Sequence, residues 1–222
     1  MKLWVDGEKL EFPEDELDEL YENEGQEGII YRYEDRAYKI YKPYCSKYRL
    51  SEEECQMMLD IPTRNVLLPR GMIYDHKKRF IGYYTEFIER KPIYHIMNMK
   101  LKDFSVQIGD VYDDLQLLSQ RNISVHDMNL SNFCYHDGFY FVDPGSYIFV
   151  DSFCSNILYS FNKTEFTNFL VFDIFSRSLK ISHPHEKKLE NHFKTFEYTA
   201  LDDVRSHPDD TVKMYIKKII NR

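Results

Sequence analysis

Apolar and polar residues alternate along much of the first ninety residues, as is typical of strands. The segment GIIYRYEDRAYKIYK (28–42) predicts two strands joined by a tight turn at 34–36. Residues 65–89 predict further strands around a charged turn, whereas the acidic segment 13–25 is expected to open with a short helix and then to reach a glycine. The first part of the chain is therefore expected to be rich in strands.

One helix interrupts these predicted strands, in the segment LSEEECQMMLDI (50–61). Ser51 is a suitable N-cap, and Glu54, three residues later, can complete a capping box with it. Pro62 then closes the helix. The helix is expected to pack its apolar side, which includes Cys55, against the sheet.

After Pro92 the spacing of apolar residues becomes helical. The segment 102–122 predicts a long helix that Asn122 can end, and one face of it is expected to carry Val106, Val111, Leu115 and Leu118. Residues 165–179 and the C-terminal segment 211–222 predict further helices. This organisation predicts an α+β protein with two lobes, a β-rich one at 1–90 and a mainly helical one at 91–222.

Composition and charge limit the kinds of partner, metal site and location that we expect for this protein. The 222 residues carry a net charge of −8, so the basic field that non-specific nucleic-acid binding needs is lacking, and we expect no nucleic-acid partner. No run approaches the roughly 20 apolar residues of a membrane helix, and the N-terminal segment shows no apolar run like that of a secretory signal, so we expect no membrane span. The four cysteines lack CxxC spacing, which predicts reduced, mostly buried thiols rather than a zinc site. Cytosol is the expected location, either directly or after non-classical delivery into a host cell.

The main candidate catalytic and metal-binding residues lie in one segment, ISVHDMNLSNFCYHDGFYFVDPGSY (123–147). Two short β runs joined by an Asp-Gly turn predict a hairpin, so Asn132 at its entry and Asp143 at its exit can be neighbours. Asp127 lies in the loop just before the hairpin. Asp and Asn are also common in loops for structural reasons, but this arrangement suits Mg²⁺ held by hard oxygen ligands beside a carboxylate that faces a hydroxyl.

This segment resembles the catalytic loop and metal-binding segment of the protein-kinase superfamily, H-R-D-x-x-x-x-N followed by D-F-G. Here it reads Val125-His126-Asp127, then Asn132, then Asp143-Pro144-Gly145. The resemblance implies that Asp127 is the catalytic aspartate and that Asn132 and Asp143 bind magnesium. The chain resembles a minimal bacterial, eukaryotic-like protein kinase of the serine/threonine type.

Earlier segments fall into the order that this resemblance implies. Ala37-Tyr38-Lys39 matches the A-x-K of the third strand, so Lys39 would contact the ATP phosphates. Glu54 is chosen as its ion-pair partner over Glu52 and Glu53, a role that would end its part in the capping box. The resemblance also implies a phosphate-binding loop and a hinge for adenine, formed by Asn23, Gly25 and Gly28 and by Thr85, Glu86 and Ile88.

The sequence departs from the family pattern at several positions. Asn23 stands at the first loop glycine, Pro144 replaces the phenylalanine of D-F-G, and no A-P-E motif follows. Asn129 occupies the position where serine/threonine kinases carry a lysine near the transferred phosphate. Asp173 is a candidate buttress of the catalytic loop, or else a carboxylate on a helix surface.

The expected activity is ATP- and Mg²⁺-dependent phosphoryl transfer to a hydroxyl of a protein substrate, on Ser or Thr and also on Tyr, with autophosphorylation as one form. Two alternatives stay open. One is a small-molecule kinase of the aminoglycoside or choline type, which the missing A-P-E motif favours slightly. The other is an inactive, kinase-shaped binding module, which Asn129 and Pro144 favour. The sequence leaves the oligomeric state and the acceptor open.

Overall fold

A seven-stranded antiparallel sheet is the largest β element of this computed structural model, which describes residues 2–11, 18–19, 27–43, 49–151, 154–195 and 203–221. Its strands are β1 (Lys2–Val5), β2 (Glu8–Glu11), β3 (Asp18–Glu19), β4 (Gly28–Tyr33), β5 (Arg36–Tyr41), β6 (Gly71–Tyr74) and β7 (Phe80–Glu86). They lie in the order β2-β1-β6-β7-β5-β4-β3. The predicted hairpin of β4 and β5 is confirmed, and Glu34 in its turn has a φ of 53°.

Helix α1 (Glu52–Met58) lies between β5 and β6 in the chain. Its capping box is present as predicted: the Glu54 N–H donates to Ser51 Oγ at 3.1 Å, and the Ser51 N–H donates to Glu54 Oε2 at 2.8 Å. Cys55 and Met58 are the buried residues of the helix. The apolar side of α1 is therefore the one predicted from the sequence.

The chain forms two compact units. Unit 1 comprises residues 1–63, 67–88 and 143–146, and unit 2 comprises residues 64–66, 89–142 and 147–222. Two short segments thus depart from a single division of the chain near residue 90. The segment 143–146, which includes Asp143, belongs to the unit that contains the sheet.

Unit 2 is mainly helical. Its helices are α2 (Tyr94–Asn98), α3 (Leu101–Gln120), α4 (Ser155–Asn168), a π-helical continuation (Phe169–Ser176), α5 (Arg177–Leu179), α6 (His183–Lys194) and α7 (Val212–Asn221). It also has two small two-stranded sheets, β8 (Ile123–Ser124) with β11 (Ile148–Phe149) and β9 (Phe133–Tyr135) with β10 (Phe139–Phe141). The chain is therefore α+β, as predicted.

The hairpin of β9 and β10 carries much of the core of unit 2. Phe133, Phe139 and Phe141 are fully buried, and their rings pack against one another and against Phe166 and Phe169 of the helices. Such aromatic burial holds the hairpin firmly. The loop that carries Asp127 and Asn132 therefore precedes a rigid element.

One sequence prediction is wrong in detail, and another falls mostly outside the described residues. Val106 was expected on the buried face of α3, but its side chain is 59% exposed, because the buried stripe runs instead through Phe104, Ile108 and Val111. In the acidic segment 13–25, the two described residues form strand β3, which pairs with β4, and the opening of the segment, where a short helix is predicted, lies outside the described residues. Among the helices of the described segments, none is long and apolar enough to cross a membrane.

Candidate functional site

Lys39 and Asp143 are 104 residues apart in the sequence and in direct contact within unit 1. The Lys39 ammonium donates to Asp143 Oδ1 at 2.5 Å and to Glu27 Oε2 at 2.8 Å. Lys39 is only 5% exposed. A buried ammonium is costly unless it is paired and hydrogen-bonded, so the two carboxylates are what allow it to remain charged in this position.

The strand register explains why these groups meet. Lys39 on β5 lies directly opposite Tyr83 on β7, so both side chains are on the same face of the sheet. The Tyr83 hydroxyl donates to Asp143 Oδ1 at 3.2 Å, and the Gly145 N–H donates to the same oxygen at 3.2 Å. Three donors thus orient one carboxylate oxygen. Asp143 Oδ2 accepts no hydrogen bond from the described residues and is available to a cation.

The environment fixes the protonation of this cluster. Burial lowers the pKa of the Lys39 ammonium, but the charges and hydrogen bonds of Asp143 and Glu27 outweigh it, and the pKa is raised above its usual value. Burial, followed by the Asp143 charge, raises the pKa of Tyr83 well above its usual value. At neutral pH Lys39 is therefore a cation and Tyr83 is a neutral hydroxyl donor.

Glu54 is not the partner of Lys39, and this prediction is corrected. Its carboxylate accepts the Ser51 N–H in the capping box of α1. A carboxylate engaged at the start of its own helix satisfies a backbone donor there. Glu27, which comes just before β4, supplies the second carboxylate to Lys39 instead.

In unit 2, two asparagine amides hold the carboxylate of Asp127. Asn129 Nδ2 donates to Asp127 Oδ1 at 2.6 Å, and Asn132 Nδ2 donates to Asp127 Oδ2 at 3.0 Å. Asn129 Oδ1 in turn accepts the N–H groups of Ser131 and Asn132 and the Ser131 hydroxyl. Asn129 therefore has a structural role of its own, because its hydrogen bonds hold the loop and orient the exposed carboxylate of Asp127.

Backbone conformation singles out the same two aspartates. Seven non-glycine residues of the described chain have φ between 51° and 67°. Five of them are in hairpin turns or at helix ends, where such angles are common: Asp6, Glu34, Lys78, Asn122 and Lys180. The other two are Asp127, at 60°, and Asp143, at 67°. Strained backbone at polar loop residues is an independent pointer to a functional site.

Asn162 on α4 anchors the segment that leads to Asp127. Its Oδ1 accepts the Val125 N–H at 2.8 Å, and its Nδ2 donates to the Ile123 carbonyl at 3.0 Å. Asn162 is 0% exposed. The proposed buttress Asp173 instead pairs with Arg177, one turn further along its own helix. Burial raises the pKa of Asp173, and the Arg177 charge opposes this. The alternative of a helix carboxylate is therefore the one observed.

The remaining predicted binding residues have mixed outcomes. Asn23 and Gly25 lie outside the described residues, whereas Gly28 is the first residue of β4. Thr85 and Glu86 end β7, and the Thr85 hydroxyl donates to the Glu86 carbonyl at 3.1 Å. The N–H of Ile88 has no backbone partner among the described residues, so it can serve a ligand.

The predicted metal ligands offer oxygen atoms of the right kind. Asp143 Oδ2 and Asn132 Oδ1 each lack a hydrogen-bond donor in the described part of the chain. Mg²⁺ prefers such hard oxygen ligands and completes its shell with water and substrate phosphates. Within the same described ranges, no three His, Cys, Asp or Glu side chains cluster as a metal site by themselves. A Mg²⁺ ion bound by Asp143 or Asn132 would therefore take most of its ligands from water or from a bound substrate.

Sequence reasoning missed Glu27, Tyr83 and Asn162. Tyr83 carried a usable signal, because alternation along β7 puts it on the same face as Thr85. Asn162 carried another, because Leu158, Asn162 and Phe166 recur every fourth residue and all are buried. Glu27 had no local signal, since its contact with Lys39 depends on strand pairing.

Comparison with known proteins adds no family assignment. No protein-family model matches the chain. No curated protein sequence is significantly similar to it.

Proposed function

We propose that this protein is a phosphotransferase that uses ATP and Mg²⁺, with a bilobal, kinase-like organisation. In this proposal the sheet of unit 1 is the nucleotide-binding lobe and unit 2 is a reduced, mainly helical catalytic lobe. The order of elements supports it, because Lys39 lies on the third of the five strands β3 to β7 and a helix follows that strand.

The observation that carries the proposal is the contact between Lys39 and Asp143. A buried lysine on a central strand meets, at 2.5 Å, the aspartate that the sequence motif identifies as a metal ligand. The two residues were selected from separate motifs far apart in the chain. A structural ion pair alone would not account for the left-handed backbone of Asp143 or for its unengaged second oxygen.

Each of the candidate residues would have a separate role in phosphoryl transfer. Lys39 would bind a nucleotide phosphate through the ammonium N–H that is not donated to Glu27 or Asp143. Asp143 and Asn132 would hold Mg²⁺, which supplies charge neutralisation at the transferring phosphate. Asp127 would orient the acceptor hydroxyl and accept its proton. Ile88 N–H would contribute a hydrogen bond to the adenine.

The acceptor that we propose is a protein hydroxyl, including one on the protein itself. The three cysteines of the described segments are free thiols, which suits action in a reducing cytosol. A small-molecule kinase of the aminoglycoside or choline type and an inactive binding module are the alternatives, and the experiments below separate them.

Asp143→Asn tests the metal-binding role. We expect loss of ATP-dependent phosphorylation with the fold retained, because Glu27 still pairs with Lys39 and the amide still accepts hydrogen bonds. Asp60→Asn, at an exposed position of unit 1, is the matched control. Activity of Asp143→Asn within about threefold of wild type would exclude this residue as an essential metal ligand.

The acceptor class is tested with radiolabelled ATP, with and without a protein extract. Label on this protein or on extract proteins supports a protein kinase, and Asp127→Ala is the negative control for mapping labelled residues by mass spectrometry. ATP consumption only with an aminoglycoside or choline supports the small-molecule alternative. A nucleotide at about 100 times its Kd stabilises a protein by about 2.7 kcal/mol, so a thermal shift without any transfer supports the binding module.

A further inference from the structure

Three glutamates at the start of α1 could in principle hold Lys39, yet each is engaged or exposed elsewhere. Glu54 completes the capping box. Glu52 accepts the Tyr74 hydroxyl at 2.9 Å, and Glu53 is exposed. The carboxylate that meets the lysine comes from a strand end instead of a helix.

We propose that Glu27 is the positioning residue of Lys39, in place of a glutamate on α1. This inference rests on the proposed function, since its purpose is to aim the ammonium at nucleotide phosphates. Glu27 Oε2 lies 2.8 Å from Lys39 Nζ, and Asp143 takes a second of the three ammonium donors. One donor then remains for a phosphate oxygen.

Glu27 is fixed by the same ladder of hydrogen bonds that carries Lys39. Its carbonyl accepts the Lys42 N–H at 2.9 Å, and the next residue, Gly28, pairs with Tyr41 across β4 and β5. The approach of the two strands requires glycine at this position, because a Cβ on Gly28 would lie 2.7 Å from the Ile40 carbonyl oxygen. The separation of carboxylate and ammonium is therefore set by adjacent strands.

A consequence for regulation follows from this geometry. An ion pair between a strand and a mobile helix can be broken by moving the helix, which is how such pairs act as switches in protein kinases. The pair between Lys39 on β5 and Glu27, the residue that enters β4, persists as long as the backbone pairing of β4 with β5 does. Lys39 is thus aligned permanently, and no shift of α1 is needed to activate the protein.

The test compares three equal changes in the full chain: Glu27→Gln, Glu54→Gln and, as a neutral control, the exposed Glu53→Gln. Glutamine retains the capping box, so Glu54→Gln removes charge without removing the cap. We measure the Kd for Mg-ATP by thermal shift, kcat and KM for phosphoryl transfer, and the urea midpoint without ligand.

We expect Glu27→Gln to weaken Mg-ATP binding by about tenfold to a hundredfold, as for the loss of a charge-assisted hydrogen bond. Glu54→Gln and Glu53→Gln should stay within about twofold of wild type, since neither side chain contacts Lys39. In a Lys39→Met background, Glu27→Gln should have no further effect on nucleotide binding, because the two residues act as a pair. If Glu27 were needed only for folding, Glu27→Gln would lower the urea midpoint, and it would still do so in the Lys39→Met background.

Two results would overturn the role of Glu27 alone. One is a loss with Glu54→Gln as large as with Glu27→Gln. The other is unchanged or tighter ATP binding by Glu27→Gln, which would mean that Glu27 competes with phosphate for Lys39. If wild type itself shows no Mg-ATP shift and no transfer, the proposed function fails and this inference fails with it.

Discussion

Asn162→Ala would remove the side chain that ties helix α4 to the segment before Asp127. The amide accepts the Val125 N–H at 2.8 Å and donates to the Ile123 carbonyl at 3.0 Å and to Ser119 Oγ at 2.9 Å. The substitution leaves the buried Val125 N–H and the buried Ile123 carbonyl without this partner. It therefore tests whether a single neutral amide secures the loop.

The expected loss in the free energy of unfolding follows from the two backbone groups that lose their hydrogen-bond partner. A buried donor or acceptor that loses its partner costs about 1–3 kcal/mol. The pair therefore costs about 2–6 kcal/mol, and the better helix propensity of alanine offsets about 0.6 kcal/mol of this. We expect the free energy of unfolding to fall by about 3 kcal/mol.

Urea denaturation followed by circular dichroism measures this change. The midpoint should fall while the m-value stays constant, because the surface exposed on unfolding hardly changes. Asn168→Ala is the matched control: it lies on the same helix, is only partly buried, and makes no side-chain hydrogen bond with the described residues. A difference between the two variants below about 1 kcal/mol would refute the anchoring role of Asn162.

Two further predictions concern packing and thiol reactivity. Gly82→Ala should destabilise the protein by about 1–3 kcal/mol in urea denaturation, because the added Cβ would lie 1.9 Å from a β5 carbonyl oxygen. Gly109→Ala, in α3 with nothing within 4 Å, should stabilise it by about 0.5–1 kcal/mol, and equal effects of both changes would contradict the strand geometry. A maleimide reagent should label the exposed Cys154 much faster than the buried Cys55 in the native protein. Burial raises the pKa of the Cys55 thiol to about 12, which lowers its thiolate fraction at neutral pH on the order of a thousandfold. Similar labelling rates, read by mass spectrometry at pH 7 and 8, would contradict this burial.

Local features of the fold were predictable because short-range chemistry decides them. The capping box between Ser51 and Glu54 needs only residues three apart, and the hairpin around Asp137-Gly138 needs only a turn with suitable residues. That Lys39 and Asp143 belong to one site was implied for another reason, although their direct ion pair was not predicted. The shared site followed from a motif resemblance that linked distant segments, not from local propensity.

The partner of Lys39 could not be predicted in the same way. Two roles competed for Glu54, the cap of its own helix and the long-range ion pair, and the local cap is the one formed. Glu27 reaches Lys39 only because β4 pairs with β5 in one particular register. Register depends on the whole sheet, so a window of sequence around Glu27 contains no trace of it.

Two buried side chains, Asp114 and Asn162, anchor segments of unit 2. One is a carboxylate and the other an amide, because the backbone groups that they contact differ. Asp114 faces only donors, the N–H groups of residues 64–66 at 2.6–3.2 Å, so a carboxylate with two acceptor oxygens suits it despite the burial that raises its pKa. Asn162 faces one N–H and the Ile123 carbonyl, a mixed set that needs both a donor and an acceptor. A carboxylate there would turn an oxygen toward the Ile123 carbonyl, and of these two backbone groups only the Val125 N–H would stabilise its buried charge. Asp173, the expected support of the loop, instead pairs with Arg177, whereas the buried donor and acceptor around residue 162 select an amide that can satisfy both.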